Sequence, residues 1–144
     1  GEWQYEGSFR ELHDKYPDKV GLRLGFVPDL ARKIYAGADL FLMPSKSEPC
    51  GLSQMVALRY GTLPIVRETG GLKDSVTDSG DGEGNGFTFK TYDAYDMLGA
   101  IYRAVDAYNN KEYWPTLVER ALRCDMSWGK SANEYIKMYK SLLK

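Results

Sequence analysis

Cysteine and histidine are scarce in this sequence, and neither residue type is clustered. The 144 residues include two cysteines, Cys50 and Cys124, and a single histidine, His13. Two cysteines this far apart, with no second pair near either, argue against a disulfide framework and a zinc site. His13 lies on a predicted helix with no nucleophile nearby, so a solvated surface role is favoured over catalysis. These features are typical of a protein from a reducing compartment, with no bound metal.

The sequence also lacks an excess of charge and a long apolar run. Lys and Arg number 19 against 20 acidic residues, which leaves no field to attract nucleic acid or an anionic membrane. No apolar run approaches the roughly 20 residues of a membrane-spanning helix. We therefore expect a cytoplasmic protein that binds neither nucleic acid nor membranes. The sequence starts at Gly1 rather than at methionine, which leaves its true N-terminus and any targeting signal open.

Strand and helix patterns alternate over the first 90 residues. Strands are predicted at 20–26, 40–43, 63–66 and, more weakly, 87–89. Helices are predicted at 5–16, at 29–36 with Asp29 as N-cap, at 52–60 and at 72–77, then at 97–108 and after a cap at Ser127. This order predicts an α/β fold, a Rossmann-like parallel sheet flanked by helices. At this length we expect one domain, with a core at about 1–90 and C-terminal helices at about 91–144.

Two loops that each join a strand to a helix are the candidate binding elements. In an open parallel sheet, ligands bind beyond the carboxyl ends of the strands. The first loop, residues 45–54, places the amides of Gly51, Leu52 and Ser53 at a helix start, where they can hold a phosphate. Glu48 cannot bind an anion, and suits sugar hydroxyls or a developing positive charge. The second loop, Thr69 to Leu72, offers the bare amides of two glycines before a helix, although such a pair is as often a simple turn.

The residues of these loops also carry a specific resemblance to a known family. The segments concerned are 48–54 (EPCGLSQ), 57–64 (ALRYGTLP), 69–76 (TGGLKDSV), Ala38-Asp39, 84–87 (GNGF) and Ser127-Trp128. By these segments the chain resembles bacterial glycogen synthases and plastid starch synthases, and the likeness covers nearly its whole length. That family has the two-domain GT-B fold and transfers glucose from ADP-glucose to the non-reducing end of an α-1,4-glucan, with retention of configuration.

The resemblance implies a role for each residue of the candidate site. Glu48 is implied as the catalytic acidic residue at the donor glucose. The remaining implied donor-binding residues are Phe26, against adenine, then Cys50, Gly51, Leu52, Ser53, Thr69, Gly70, Gly71 and Leu72. An aromatic residue that ends a strand can instead belong to the core, and Cys50 can instead be a reactive thiol. No cofactor or metal is implied, since ADP-glucose is a substrate.

Parts of the family pattern lie outside these 144 residues. The resemblance implies two further strands before Gly1, with an Arg and a Lys that grip the diphosphate, and a separate N-terminal domain that binds the glucan. We therefore expect this chain to be inactive alone. Val56, where many relatives have a second glutamate, together with Gln54, favours the glycogen and starch synthase branch. The location implied is the bacterial cytoplasm, or a plastid for a plant enzyme.

Two alternatives stay open at this stage. One is a GT-B transferase that uses a UDP-sugar and another acceptor. The other is a module that binds a nucleotide sugar without catalysis.

Overall fold

The computed structural model describes residues 2–143, apart from the side chain of Asp81, and divides into two compact units. The first unit is Gly1–Arg32 and the second is Lys33–Lys144. The strands are β1 (Leu40–Met43), β2 (Leu63–Arg67) and β3 (Phe87–Phe89). The helices are α1 (Trp3–Lys15), α2 (Pro28–Gly37), α3 (Ser53–Tyr60), α4 (Gly70–Ser75), α5 (Ala94–Asn109), α6 (Trp114–Arg123) and α7 (Trp128–Leu142), with a 3-10 turn at Ser79–Asp81.

The three strands form a parallel sheet in the order β1, β2, β3. Leu40 pairs with Leu63, and Ile65 pairs with Phe87. Helices lie between consecutive strands, so the chain crosses over each time and all three strands point the same way. The predicted α/β class with a parallel sheet is therefore confirmed, and the carboxyl ends of the strands share one edge.

The core is built around β2, which is buried over four of its five residues. Successive side chains of a strand point to opposite faces, and β2 accordingly supplies two clusters. Leu63 and Ile65 pack in the larger cluster, and Val66 packs in the smaller one with Leu72 and Val76. The larger cluster is completed by Leu58, Phe87, Phe89, Ala100, Ala104, Leu117 and Ala121. The sheet edge that carries the candidate loops is thus held on a rigid strand.

The predicted strand at 20–26 is wrong. Val20, Leu22 and Leu24 alternate in exposure with their neighbours, as the period-2 pattern indicates, but the segment pairs with no strand in the described part of the chain. Alternation reports which side chains are covered, whereas a strand also needs a neighbour for its backbone groups. One of those groups, the Val20 carbonyl, accepts instead from His13 Nδ1 at 2.5 Å. His13 is therefore half-buried and bonded, not solvated as expected.

Two other sequence expectations change at helix ends. Asp29 is not an N-cap, because Pro28 begins α2 and Asp29 lies in its first turn, where it pairs with Arg32 at 2.8 Å. Proline suits a first helical position since its missing N–H has no partner there anyway. Ser127 does occupy the N-cap position of α7, although its side chain makes no capping bond.

Helix α6 was not predicted as a separate element. None of the helices described here is both long and apolar enough to span a bilayer.

Candidate functional site

The first loop follows β1, which ends at Met43, and leads into α3, which begins at Ser53, at the shared edge of the sheet. Arg67, at the end of β2, fastens the start of this loop. Its Nε donates to the Ser45 carbonyl at 2.9 Å, and its Nη2 donates to the Lys46 carbonyl. The guanidinium also lies 5.9 Å from the centre of the Tyr92 ring. The loop is therefore anchored to the neighbouring strand before it reaches Glu48.

The glycines of the second loop pack directly against the backbone of the first loop. A β-carbon on Gly70 would lie 2.0 Å from the Glu48 carbonyl oxygen, and one on Gly71 would lie 2.1 Å from the Cys50 carbonyl oxygen. Gly70 has φ +44°, which other residues rarely adopt. The Gly71 amide donates to the Pro49 carbonyl at 3.3 Å. The glycine pair is thus required by the close approach of two backbones, which a simple turn would not demand.

Gly51 is the point where the first loop turns into α3. Its φ is +72°, and a β-carbon there would lie 2.6 Å from Gln54 Oε1 and 2.9 Å from Leu72 Cδ2. Gln54 fills this space and is wholly buried. Its Nε2 donates to the Gly51 carbonyl at 2.8 Å and to Ser75 Oγ at 3.0 Å. The buried side chain of Gln54 therefore joins the two loops. Sequence reasoning missed this role, because the burial of a polar helix residue leaves no periodic signal.

The start of α3 offers free backbone donors. The first amides of any helix lack an intrahelical acceptor. Within residues 2–143, the amides of Gly51, Leu52 and Ser53 donate to no protein acceptor. Gly51 is buried, Ser53 is half-buried, and Leu52 is exposed. Free N–H groups and the positive end of a helix together favour a bound anion such as a phosphate.

The second loop offers fewer free donors than the sequence predicts. The amides of Thr69, Gly71 and Leu72 already donate to the carbonyls of Arg67, Pro49 and Thr69. The side chain of Leu72 is wholly buried in the smaller core cluster. The expectation of bare amides from the glycine pair is therefore wrong for Gly71. The loop supports the first loop by packing, and its Gly70 amide has no acceptor among the described residues.

The other predicted site residues differ in exposure. Glu48 is half-buried, and its backbone lies against Gly70. Cys50 is an exposed free thiol. Phe26 lies in the first unit with 89% of its surface exposed, and it belongs to neither core cluster of the described residues. A ring this exposed is free to stack on a planar ligand.

A polar groove of about 810 Å³ lies at the carboxyl ends of β2 and β3. In its lining, Asp78 Oδ2 accepts from the Thr88 amide at 2.7 Å and from Arg103 Nη2 at 2.8 Å. Burial would raise the pKa of Asp78, but hydrogen bonds from the Thr88 and Gly80 amides and the Arg103 guanidinium outweigh it and hold this pKa below its ordinary value. The groove is lined by Glu68, Lys73, Val76, Thr77, Asp78, Thr88, Phe89, Lys90, Thr91, Asp96 and Arg103.

Comparison with known sequences identifies a family. The profile of the family described as "Glycosyl transferases group 1" matches residues 2–115. The chain is 55% identical over 146 aligned residues to a glycogen synthase of Geobacillus thermodenitrificans, and 54% identical over 141 residues to one of Fervidobacterium nodosum. These alignments cover 100% and 96% of the chain. The chain spans only 30% and 29% of the length of those relatives.

Comparison with solved structures agrees on the fold. The catalytic domain of starch synthase IV from Arabidopsis thaliana, solved with ADP and acarbose bound, superposes with a TM-score of 0.81 at 41% identity. The match covers 94% of the chain and 29% of that structure. A sucrose-phosphate synthase from Thermosynechococcus elongatus, 22% identical over 97% of the chain and 35% of its own, shares the fold with a TM-score of 0.66. The parallel sheet flanked by helices is that of a GT-B glycosyltransferase domain, as predicted.

Proposed function

Because the chain belongs to the group 1 glycosyl transferases, we propose that it forms the donor-binding half of a retaining glucosyltransferase of the glycogen and starch synthase type. The donor is ADP-glucose, and the acceptor is the non-reducing end of an α-1,4-glucan. The observation that carries the proposal is the start of α3, where free amides follow a half-buried glutamate on a loop locked to its neighbours. The similarity to glycogen synthases and to a starch synthase solved with ADP supports the choice of donor.

Each part of the loop has a distinct task in this proposal. The amides of Leu52 and Ser53 bind the distal phosphate of ADP-glucose, where negative charge grows as the glucosyl bond breaks. The Glu48 carboxylate accepts hydrogen bonds from glucose hydroxyls and faces the positive charge that develops on the sugar ring. The backbone at Cys50 and Gly51 contacts the sugar. Thr69, Gly70, Gly71 and Leu72 hold this loop in place, and Phe26 stacks on adenine.

The remaining elements of the reaction come from outside this chain. We propose that a separate domain binds the glucan, and that an Arg and a Lys outside these residues grip the diphosphate. No metal or other cofactor takes part in this scheme. The enzyme acts in the bacterial cytoplasm, or in a plastid if the source is a plant.

Nucleotide titration of the chain tests the choice of donor. We expect ADP to shift the amide signals of residues 51–53 in a ¹H–¹⁵N spectrum, and to do so at lower concentration than UDP. The control is the Ser47→Ala variant, which alters an exposed residue of the same loop and should bind ADP as the wild type does. Tighter binding of UDP would favour a UDP-sugar transferase instead, and absence of binding of either nucleotide to the folded chimera described below, which supplies the remaining residues of the enzyme, would refute the proposed site.

A chimera tests catalysis. The chain replaces the matching 30% of the Geobacillus thermodenitrificans glycogen synthase, and transfer of glucose from ADP-glucose to glycogen is measured. Glu48→Ala should lower kcat about 100-fold or more while ADP affinity changes little, because the glutamate acts mainly on the transition state. If the chimera folds and binds ADP but transfers no glucose, the chain is a binding module. A kcat within a few-fold of the parent chimera would remove Glu48 from catalysis.

A further inference from the structure

The amide group of Gln54 is a buried polar group placed between the two loops. Its Nε2 lies 2.8 Å from the Gly51 carbonyl oxygen, 3.3 Å from the Cys50 carbonyl oxygen and 3.0 Å from Ser75 Oγ. Ser75 Oγ in turn lies 2.7 Å from the Gly71 carbonyl oxygen. One side chain thus reaches the backbone of the first loop directly and that of the second loop through a hydroxyl.

The protons available fix the orientation of this network. The two carbonyls can only accept, so the atom of Gln54 that faces them must be the nitrogen. Ser75 has one hydroxyl proton, and it donates this proton to the Gly71 carbonyl, so its oxygen accepts from Gln54. The opposite atom, Gln54 Oε1, is buried and has no partner among the described residues. The side chain therefore acts as a donor to the loops, and its unpartnered oxygen is tolerated beside Gly51.

When the C=O of a peptide unit is held by a hydrogen bond, the direction of the N–H in the same peptide unit is determined as well. In a trans peptide, the C=O of one residue and the N–H of the next point in opposite directions. Gln54 draws the Gly51 carbonyl inward, so the Leu52 N–H is turned outward, away from the buried side chain. The longer contact to the Cys50 carbonyl shares one of the two Nε2 protons, and acts in the same way but more weakly on the Gly51 N–H. Both of these amides lack a protein acceptor in the described region.

We propose that Gln54 is a positioning residue, which aims the Leu52 amide at the distal phosphate of the donor and the Gly51 amide at the donor sugar. This inference rests on the proposed function, because that function places the donor against these two amides. Gln54 itself does not touch the donor. Its effect is to hold two peptide planes in the binding orientation before the ligand arrives, so that binding requires no reorientation of the loop.

The test compares ADP with AMP, which lacks the distal phosphate. Gln54→Met keeps the length of the side chain without a donor, and Gln54→Glu keeps its shape but turns the donor into an acceptor. Each variant should weaken ADP binding by about tenfold, the effect of a misplaced hydrogen bond to a charged group, and leave AMP binding unchanged. Dissociation constants are measured by ¹H–¹⁵N titration of the whole chain.

A matched control separates positioning from loss of stability. Thr62 is also buried, and its Oγ1 lies 2.6 Å from the Tyr35 carbonyl oxygen and 2.9 Å from the Ala38 carbonyl oxygen, away from the two loops. Thr62→Val should lower the free energy of unfolding as the Gln54 variants do, but keep the wild-type preference for ADP over AMP. Equal loss of ADP and AMP binding in the Gln54 variants would show a purely structural role and overturn the inference.

The wild-type chain supplies a measurement that does not depend on a folded variant. ADP should move the Leu52 amide signal much further than AMP does, and the Gln54 side-chain NH₂ should exchange slowly. Binding of ADP without this difference would refute the role of Gln54 and leave the proposed function standing. If the folded chimera described above binds no ADP, the proposed function and this inference fall together.

Discussion

Gly70 and Gly71 form part of the wall of the candidate site without offering it a side chain. Each lies where a β-carbon would come within about 2 Å of a carbonyl oxygen of the first loop, as the distances of 2.0 and 2.1 Å show. Any larger residue must push the loops apart. The positions of Glu48 and of the start of α3 therefore depend on the absence of side chains at Gly70 and Gly71, about 20 residues further along the chain.

Gly70→Ala should destabilise the chain by about 2 kcal/mol or more, since φ +44° is unfavourable for alanine and the methyl group meets the Glu48 carbonyl. Urea unfolding followed by circular dichroism measures this change. ADP binding should weaken as well, because the first loop must move.

Gly99→Ala is the matched control for this substitution. Gly99 lies inside α5, and a β-carbon there meets nothing within 4 Å. Alanine is the better helix former, so we expect the control to gain about 0.5–1 kcal/mol. Equal stability of the two variants would show that the loops yield easily, contrary to the packing described.

The sequence predicted which segment forms the candidate site, but it predicted less well what each residue of that segment does. The motif from Glu48 to Gln54 marked the loop, and the roles of its residues stay predictions. The free amides follow from the rule that the first turn of a helix lacks acceptors. The function of Gln54 could not be predicted, because it depends on Ser75 and Gly71, which approach it only in the folded chain.

Among the elements, the 3-10 turn, β3 and α5 are joined by one carboxylate. Asp78 precedes the turn, and its oxygens accept from the Gly80 amide, the Thr88 amide and Arg103. A carboxylate with this many donors is stabilised in its charged form. The late part of the sheet is therefore fixed by a group that titrates at low pH.

Protonation of Asp78 should weaken this junction. Its folded-state pKa lies below the ordinary value, so its stabilisation is complete above about pH 4 and is lost as pH falls through the folded pKa. Asp78→Asn should lower the urea midpoint at pH 7, and the difference from wild type should shrink towards pH 3. Asp106→Asn, on the exposed surface of α5, is the control and should change the midpoint little at either pH. A constant difference at both pH values would contradict this account.

The local pattern of apolar residues predicted most helices and strands. It failed where the structure of a segment depends on whether a neighbouring strand is present. The apolar runs of β1, β2 and β3 each became a strand because other strands and helices cover them. The segment 20–26 has an equally clear alternation, yet it finds no strand beside it in the described chain. Helix α6 begins with Trp114 and Pro115, and its apolar residues, among them the buried Leu117 and Ala121, recur at helical spacing, so this missed helix was predictable from the sequence.

At the scale of the molecule, burial is distributed very unevenly. Strand β2 is almost wholly buried, whereas α1 and α7 contain no buried residue. Exposed apolar side chains on α7 include Tyr135, Ile136, Tyr139 and Leu142. Opening of a segment costs little free energy when it exposes few apolar contacts.

Hydrogen exchange should follow this distribution. Amides of β2 and of the middle of α5 should exchange only through opening close to the global free energy of unfolding, and those of α1 and α7 should exchange orders of magnitude faster. Mass spectrometry of peptides from the native chain measures the difference. Protection of α7 equal to that of β2 would mean that its apolar face is covered in solution.

A donor site made of backbone amides has a particular consequence for mutational tolerance. The side chains of Cys50 and Leu52 point to solvent and are not the groups proposed to hold the phosphates. In a saturation library, these two positions should accept many residue types. Gly51, Gln54, Gly70 and Gly71 should accept almost none, because their atoms set the course of the main chain. The positions that matter most for the ligand would then be those whose side chains never meet it.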